Sequence, residues 1–143
     1  MKDEKTLIIL KPDAVRRRLA GEILSRFERK GFKILASKFM LATEELVKEH
    51  YAEHKGKPFF DDLIKYFTSG TILIFVFKGD DALEISRKLI GATKATDAAP
   101  GTIRGDYALG DTENLVHGSD SKESFEKELA IWFPEYVKHT RKK

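Results

Sequence analysis

The 143-residue chain contains no cysteine, one tryptophan, two methionines and four prolines. Without cysteine it has no disulfide, no cysteine-based zinc site and no thiol nucleophile. Long hydrophobic runs are also missing, since none approaches the roughly 20 residues of a membrane span. The N-terminal stretch MKDEKTLIILKPD has acidic residues ahead of a short apolar run, unlike a signal peptide. These absences predict a soluble, cytoplasmic protein.

A strong excess of charge of either sign is absent as well. The 26 basic and 23 acidic residues are interspersed and give a formal net charge of +3. The one basic cluster, Lys138, His139 and residues 141–143, is interpreted as a solvated tail rather than a nucleic-acid contact. The length and the lack of any linker or repeat predict a single domain over residues 1–143.

Hydrophobic periodicity predicts alternating strands and helices. The predicted strands cover residues 6–12, 32–41, 71–79 and 114–117. The predicted helices cover residues 20–30, 43–54, 58–70, 80–91 and 121–133. Asp80 and Asp120 are predicted N-caps, and residues 92–113 a long loop, usually functional or disordered. A doubly wound α/β sheet is possible, but the ferredoxin-like βαββαβ arrangement fits better: an α/β (α+β) fold with a four-stranded antiparallel sheet and helices on one face.

The stretch NLVHGSDS, residues 114–121, places His117 where a strand gives way to a helix start. Gly118 is predicted to break the strand, and the helix N-terminus offers backbone N–H groups to an anion. A neutral imidazole is a nucleophile, and Glu128, two turns into the helix, could fix its tautomer. A buried structural histidine explains the local sequence equally well, so both interpretations stay open at this level.

Cationic residues elsewhere favour the catalytic interpretation. Lys11, Arg87 and Arg104 with the Thr93 hydroxyl are the kind of set that binds phosphates. Taken singly, each of these residues is more typical of a protein surface. The set is a hypothesis for a phosphate site, which the number of cations alone does not establish.

Standard phosphate and zinc motifs are missing. The sequence has no P-loop, no dinucleotide-binding glycine motif and no protein-kinase signature. His50 and His54 are four residues apart on a predicted helix, but Tyr51 stands where the H-E-x-x-H zinc motif needs glutamate. A zinc site at this helix is therefore disfavoured.

The stretch NLVHGSDS resembles the active-site signature of the nucleoside diphosphate kinases. Similar blocks recur in the family's order as TLIILKPDAVRR, GFKILASKFM, HYAEHKGKPFFDDLIKYFTSG, GATKATDAAPGTIRGDYA and KELAIWF. They cover nearly the whole chain, which makes the match highly specific. The resemblance implies a ferredoxin-like α/β enzyme, in agreement with the element order. It would move the γ-phosphoryl of a nucleoside triphosphate to a nucleoside diphosphate in a ping-pong cycle through a phosphohistidine.

The resemblance also implies roles for individual residues. His117 is the nucleophile, attacking through Nδ1, Glu128 hydrogen-bonds its other ring nitrogen, and Tyr51 lies near it. The implied substrate contacts are Lys11 and Asn114 at the ribose and the transferring end, Arg87, Thr93 and Arg104 on the phosphates, and Phe59 with Leu63 at the base. Mg²⁺ is carried mainly by the nucleotide phosphates, with Asp120 as a water-mediated partner.

The sequence departs from the family pattern just before the signature. Asp111, Thr112 and Glu113 stand where apolar, glycine or basic residues are usual, and Lys94 replaces a common asparagine. These changes leave the base preference open. Family members are hexamers or tetramers, so the resemblance implies a homo-oligomer, with neither a membrane nor a nucleic acid as primary partner.

Two other functions fit parts of the sequence. RNA-recognition motifs share the βαββαβ order, and Lys30-Gly31-Phe32 begins like their central motif, but Lys33 and Ile34 do not continue it. A non-catalytic scaffold related to the kinases is the second. The intact set of Lys11, Arg87, Arg104, Asn114, His117 and Glu128 argues against it.

Overall fold

A computed structural model of the protein describes residues 2–136, in which four strands form one antiparallel sheet. The strands are β1 (Asp3–Leu10), β2 (Lys33–Leu41), β3 (Thr71–Asp80) and β4 (Val116–Gly118), in the order β2-β3-β1-β4. Every neighbouring pair is antiparallel. This order and the helical connections confirm the ferredoxin-like fold. The basic cluster at residues 138–143 lies outside the described residues.

Seven α-helices of five or more residues connect and follow these strands in the described part of the chain, with two single 3-10 turns, Ala52–His54 and Ala95–Asp97, between them. They are α1 (Pro12–Arg16), α2 (Ala20–Lys30), α3 (Glu44–His50), α4 (Phe60–Phe67), α5 (Ala82–Ile90), α6 (Ile103–Tyr107) and α7 (Lys122–Trp132). None of them is long and apolar enough to cross a membrane.

The two short helices α1 and α6 were not predicted. Pro12, expected only to end the first strand, also begins α1, because a proline is well suited to the first helical position. The strand itself ends at Leu10, so Lys11 lies just beyond it. Within the predicted loop, the Thr102 hydroxyl accepts the Gly105 N–H at 2.9 Å and starts α6. The prediction of a loop without structure over residues 92–113 was therefore wrong at these residues.

Helices cover both faces of the sheet, so the prediction of a single covered face was wrong. On β1, Leu7 and Ile9 belong to one buried cluster, which includes Trp132 of α7. Ile8 and Leu10 belong to another, which includes Phe27 of α2. Successive strand residues point to opposite faces, so a strand buried on both sides has a continuous apolar run.

Three local boundaries differ from the prediction. The cap of α5 is Asp81, with φ of +49°, because β3 continues through Asp80. The cap of α7 is Ser121, whose hydroxyl accepts the N–H of Ser124 at 3.1 Å, so Asp120 is not the cap. Gly118 does not break the strand: β4 begins at Val116, and Gly118 pairs with Ile8 as its last residue.

Candidate active site

An open cleft of about 530 Å³ lies where β1 ends and β4 begins. Helices α3, α4, α5 and α7 contribute its other walls. Every site residue predicted from the sequence lines it: Lys11, Tyr51, Phe59, Leu63, Arg87, Thr93, Arg104, Asn114, His117, Asp120 and Glu128. The fold thus gathers residues spread over more than one hundred positions into one cavity.

His117 is held by a relay of hydrogen bonds. Its Nε2 lies 2.9 Å from the Glu128 carboxylate, and the other oxygen of that carboxylate accepts the Ser119 hydroxyl at 2.7 Å. Glu128 and Ser119 are buried, and the His117 side chain is 22 % exposed. A carboxylate on Nε2 requires a proton there, so Nδ1 carries the lone pair. No other group of residues 2–136 forms a hydrogen bond with this ring.

His50 packs against His117, a contact that sequence reasoning missed. Its ring centre is 4.5 Å from that of His117, edge to face, and its Nδ1 accepts the indole N–H of Trp132 at 3.1 Å. Burial holds the His50 pKa well below its usual value, so this ring is neutral with its proton on Nε2. The hydrogen bond between His50 and Trp132 joins residues 82 positions apart, so no local sequence pattern indicates it. The sequence shows only that His50 and His54 are four positions apart.

The backbone before β4 makes a tight, unusual turn. Leu115 has φ of +75°, and the N–H of Val116 bonds to the carbonyl of Asn114 at 2.9 Å, as in a γ-turn. Residues other than glycine rarely adopt this backbone conformation without a cost in free energy. The turn aims the Asn114 side chain at Lys11, whose Nζ it meets at 2.8 Å.

Lys11 is a buried cation, with 6 % of its surface exposed. Burial, and next the charge of Arg104, lower its pKa to about 7, against an opposing effect of Asp13. Within residues 2–136 it forms no salt bridge. A bound anion would therefore stabilise the protonated amine and raise this pKa.

Arg104 ties three segments together with its guanidinium. Its Nε, Nη1 and Nη2 donate to the carbonyls of Asn114, Gly91 and Val116 at 3.3, 3.2 and 2.6 Å. Burial, and next the charge of Arg87, lower the Arg104 pKa to about 10, which leaves the side chain charged at neutral pH. In the described part of the chain neither arginine has a carboxylate partner, so both charges are available to an anion.

The opposite wall of the cleft is aromatic and more open. Phe59, just before α4, is 46 % exposed, and its ring centre is 5.4 Å from that of His54. Leu63 lies one turn further along α4, also on the cleft wall. Such an exposed ring beside an aliphatic side chain offers a stacking surface to a flat ligand.

Two groups of side chains carry atoms of the kind that bind metal ions. Donor atoms of His50, His117 and Glu128 lie within 4.8 Å of one another. The Nδ1 lone pair of His50 accepts from Trp132, however, and its other nitrogen carries a proton, so this trio does not fit a cation as arranged. Asp120 fits better: the Ser124 hydroxyl lowers its pKa, and an ionised carboxylate is a ligand that Mg²⁺ prefers.

Comparison with known proteins agrees with this geometry. The family profile described as "Nucleoside diphosphate kinase" matches residues 4–137. The nucleoside diphosphate kinase of Caldanaerobacter subterraneus subsp. tengcongensis is 53 % identical over 94 % of this chain and 96 % of its own. Nucleoside diphosphate kinase 3 of Homo sapiens is 54 % identical over 91 % of this chain and 77 % of its own.

A solved structure points the same way. The halophilic nucleoside diphosphate kinase of Halobacterium salinarum, in complex with CDP, superimposes with a TM-score of 0.89 at 51 % identity, covering 92 % of this chain and 88 % of that one. Sequence and structure agree over nearly the full length. The chain belongs to the nucleoside diphosphate kinase family.

Proposed function

We propose that the cleft moves the γ-phosphoryl group of a nucleoside triphosphate to a nucleoside diphosphate through a phosphohistidine on His117. One observation carries the proposal: an imidazole with Nε2 bound to Glu128 and Nδ1 unengaged lines the same cleft as cations that have no carboxylate partner. A scaffold protein would have no need of such an arrangement.

The chemistry follows from these positions. The Nδ1 lone pair attacks the γ-phosphorus in line, the bond to the bridging oxygen breaks, and that oxygen leaves on the diphosphate. Negative charge on the transferring group is met by Lys11, Arg87 and Arg104. The Nε2 proton stays on the ring, where Glu128 stabilises the resulting positive imidazole. A second nucleoside diphosphate then reverses the same steps.

Magnesium would be carried by the nucleotide. Asp120 is the described carboxylate best suited to reach it, through a water molecule, because it is ionised and lines the cleft. Bound to the phosphates, the ion would neutralise charge and hold the chain of phosphates in one shape.

The direct test is a labelled intermediate. The protein is mixed with γ-³²P-ATP and Mg²⁺, quenched without acid, and examined for label that is stable to base and lost in acid. The proposal requires label on His117 that moves to GDP when GDP is added. Label that is absent, or that no diphosphate removes, contradicts it.

Replacing Phe59 by alanine should weaken the binding of every nucleotide to a similar extent. The exposed ring is proposed to stack on the base, and stacking contributes about 1–3 kcal/mol per base whatever its identity. We expect KM for ADP, GDP, CDP and UDP to rise roughly 5- to 100-fold with kcat little changed. Phe59→Trp, which keeps a stacking surface, is the control. If affinity fell for only one of the four nucleotides, Phe59 would be contacting the edge of that base and not stacking on the face that all bases share.

Replacing Glu128 by glutamine should slow transfer without abolishing it. The amide can present either its oxygen or its NH₂ to Nε2, so the tautomer is no longer fixed. We expect kcat to fall about 10²-fold, the order of effect of a misplaced reacting group. Single-turnover phosphorylation of the enzyme measures this step alone. Glu126→Gln, on the exposed side of the same helix, is the matched control; equal rates for both variants would remove Glu128 from the reaction.

We also infer that the chain forms a homo-oligomer, a tetramer or a hexamer. β2 is an outer strand of the sheet, and Phe39 and Leu41 on it are 65 % and 60 % exposed. An apolar outer strand usually pairs with or packs against another surface. Light scattering on the purified protein gives the number of copies, and a monomeric mass would contradict the inference.

A cytoplasmic location stays a prediction of the sequence. The proposed reaction uses nucleoside triphosphates, and a chain without cysteine suits a reducing compartment. Fractionation of the source cells, followed by activity measurement in each fraction, tests it.

A further inference from the structure

We propose that Asp13 is a positioning residue: its buried carboxylate clamps the turn at Leu115 that carries Asn114 and leads to His117, and the Tyr66 hydroxyl holds that carboxylate in place. The inference rests on the proposed function, since it concerns how the same site is held. Neither residue lines the catalytic cleft.

The contacts of Asp13 are specific and shielded from water. It is 3 % exposed. One carboxylate oxygen accepts the backbone N–H of Leu115 at 3.1 Å, and the other accepts the Tyr66 hydroxyl. Charged acceptors make the stronger hydrogen bonds, more so out of water. A single side chain thus joins α1, α4 and the turn before β4.

The clamped residue is the strained one. Leu115 has φ of +75°, which persists only when the surroundings over-determine it. Its carbonyl accepts the backbone N–H of Lys11 at 2.8 Å, so both of its peptide groups are fixed by residues 11–13. Asn114, which precedes it, reaches the Lys11 amine, and His117 follows two residues later. Releasing Leu115 would let the substrate-binding amide and the nucleophile move together.

Asp13 has a second effect, through its charge. Lys11 is faced by Arg104 from α6, by Tyr66 from α4, by His50 from α3 and by Asp13 from α1. Among these, Asp13 is the group that raises the Lys11 pKa, against burial and Arg104, which lower it to about 7. Removing the carboxylate charge therefore lowers the pKa further, and Lys11 loses its proton at a lower pH.

This charge effect separates positioning from a merely structural role. We compare Asp13→Asn, Tyr66→Phe and the wild type by the pH dependence of kcat/KM, which reports groups of the free enzyme. Tyr107→Phe is the matched control, because the Tyr107 hydroxyl also influences a carboxylate, helping to lower the pKa of Glu22, away from the cleft. Urea unfolding of each variant measures how much of the protein is folded under assay conditions.

We expect kcat/KM to fall about 10-fold in Tyr66→Phe and about 100-fold in Asp13→Asn, corrected for the folded fraction. The alkaline limb of the profile should move to lower pH in Asp13→Asn and stay in place in Tyr66→Phe, which keeps the charge. Tyr107→Phe should match the wild type. If Asp13→Asn does not fold, the proposal is tested by the other two variants: kcat/KM should fall in Tyr66→Phe and stay at the wild-type value in Tyr107→Phe.

The proposal is overturned if folded Asp13→Asn keeps both the rate and the pH profile of the wild type, or if Tyr66→Phe loses no more than Tyr107→Phe. These results differ from a failure of the proposed function itself. That failure appears in the wild type, as an absence of phosphohistidine, before any variant is compared.

Discussion

Replacing His117 by glutamine will abolish phosphoryl transfer, with kcat/KM reduced by on the order of 10⁵-fold or more, as for other enzymes that lose a covalent nucleophile. Glutamine keeps a polar side chain in the cleft, but the lone pair of its amide nitrogen is delocalised into the carbonyl and does not attack phosphorus. The remaining cations can still bind the triphosphate, so the dissociation constant for a nucleotide should change little. Coupled spectrophotometric assay measures transfer, and calorimetry in the absence of a second nucleotide measures binding.

A second histidine of the same cleft provides the control. His54 lines the cleft near Phe59, and its Nδ1 meets Lys57 at 3.1 Å rather than any group of the relay. His54→Gln should retain transfer within a few-fold. Transfer that survives in His117→Gln would mean direct passage between the two nucleotides, and the ping-pong scheme would fail with it.

Replacing Arg104 by lysine will lower both activity and stability, although the charge is kept. A lysine amine cannot reproduce three donations to carbonyls on two separate segments, one at Gly91 and one at residues 114–116. Leaving buried carbonyls unpaired should lower the free energy of unfolding by about 2–4 kcal/mol. Loss of one fixed donor to the transferring group should lower kcat by about 10²–10³-fold.

Arg17→Lys is the comparison for this change. Arg17 is an exposed arginine that also donates to a carbonyl, that of Tyr107, at 2.8 Å. Its replacement should alter the free energy of unfolding by no more than about 0.5 kcal/mol. Urea unfolding and steady-state kinetics on both variants decide the point. If both variants lost the same activity and the same free energy of unfolding, the three hydrogen bonds of the Arg104 guanidinium would have no special role.

The sequence predicted the elements that have a clear period and the residues that have a family signature. The apolar positions of α2 and the run of β3 were enough to place both elements. His117 and Glu128 were paired on the basis of their spacing and the resemblance, and they are 2.9 Å apart. In these cases the signal lies within about one helix or strand of the residue concerned.

What the sequence did not predict depends on contacts distant in the chain. Trp132 meets His50 across 82 residues, and Asp13 meets Leu115 across 102. No local period reports such a pair. Helix α1 has only five residues, too few for a hydrophobic repeat to be read. The covering of both sheet faces likewise follows from tertiary packing, since a continuous apolar run does not say what packs on either side.

The two ends of the cleft differ in how firmly the fold holds their side chains in place. Lys11 directly follows β1, and His117 lies on β4, which pairs with β1. Because β1 packs into a buried cluster on each side of the sheet, small displacements of these residues are resisted from both sides. Phe59 stands before a helix, almost half in solvent, with room to shift. Under the proposed function, this division confines adaptability to the end of the cleft that would contact the base and accuracy to the end that would carry out the transfer.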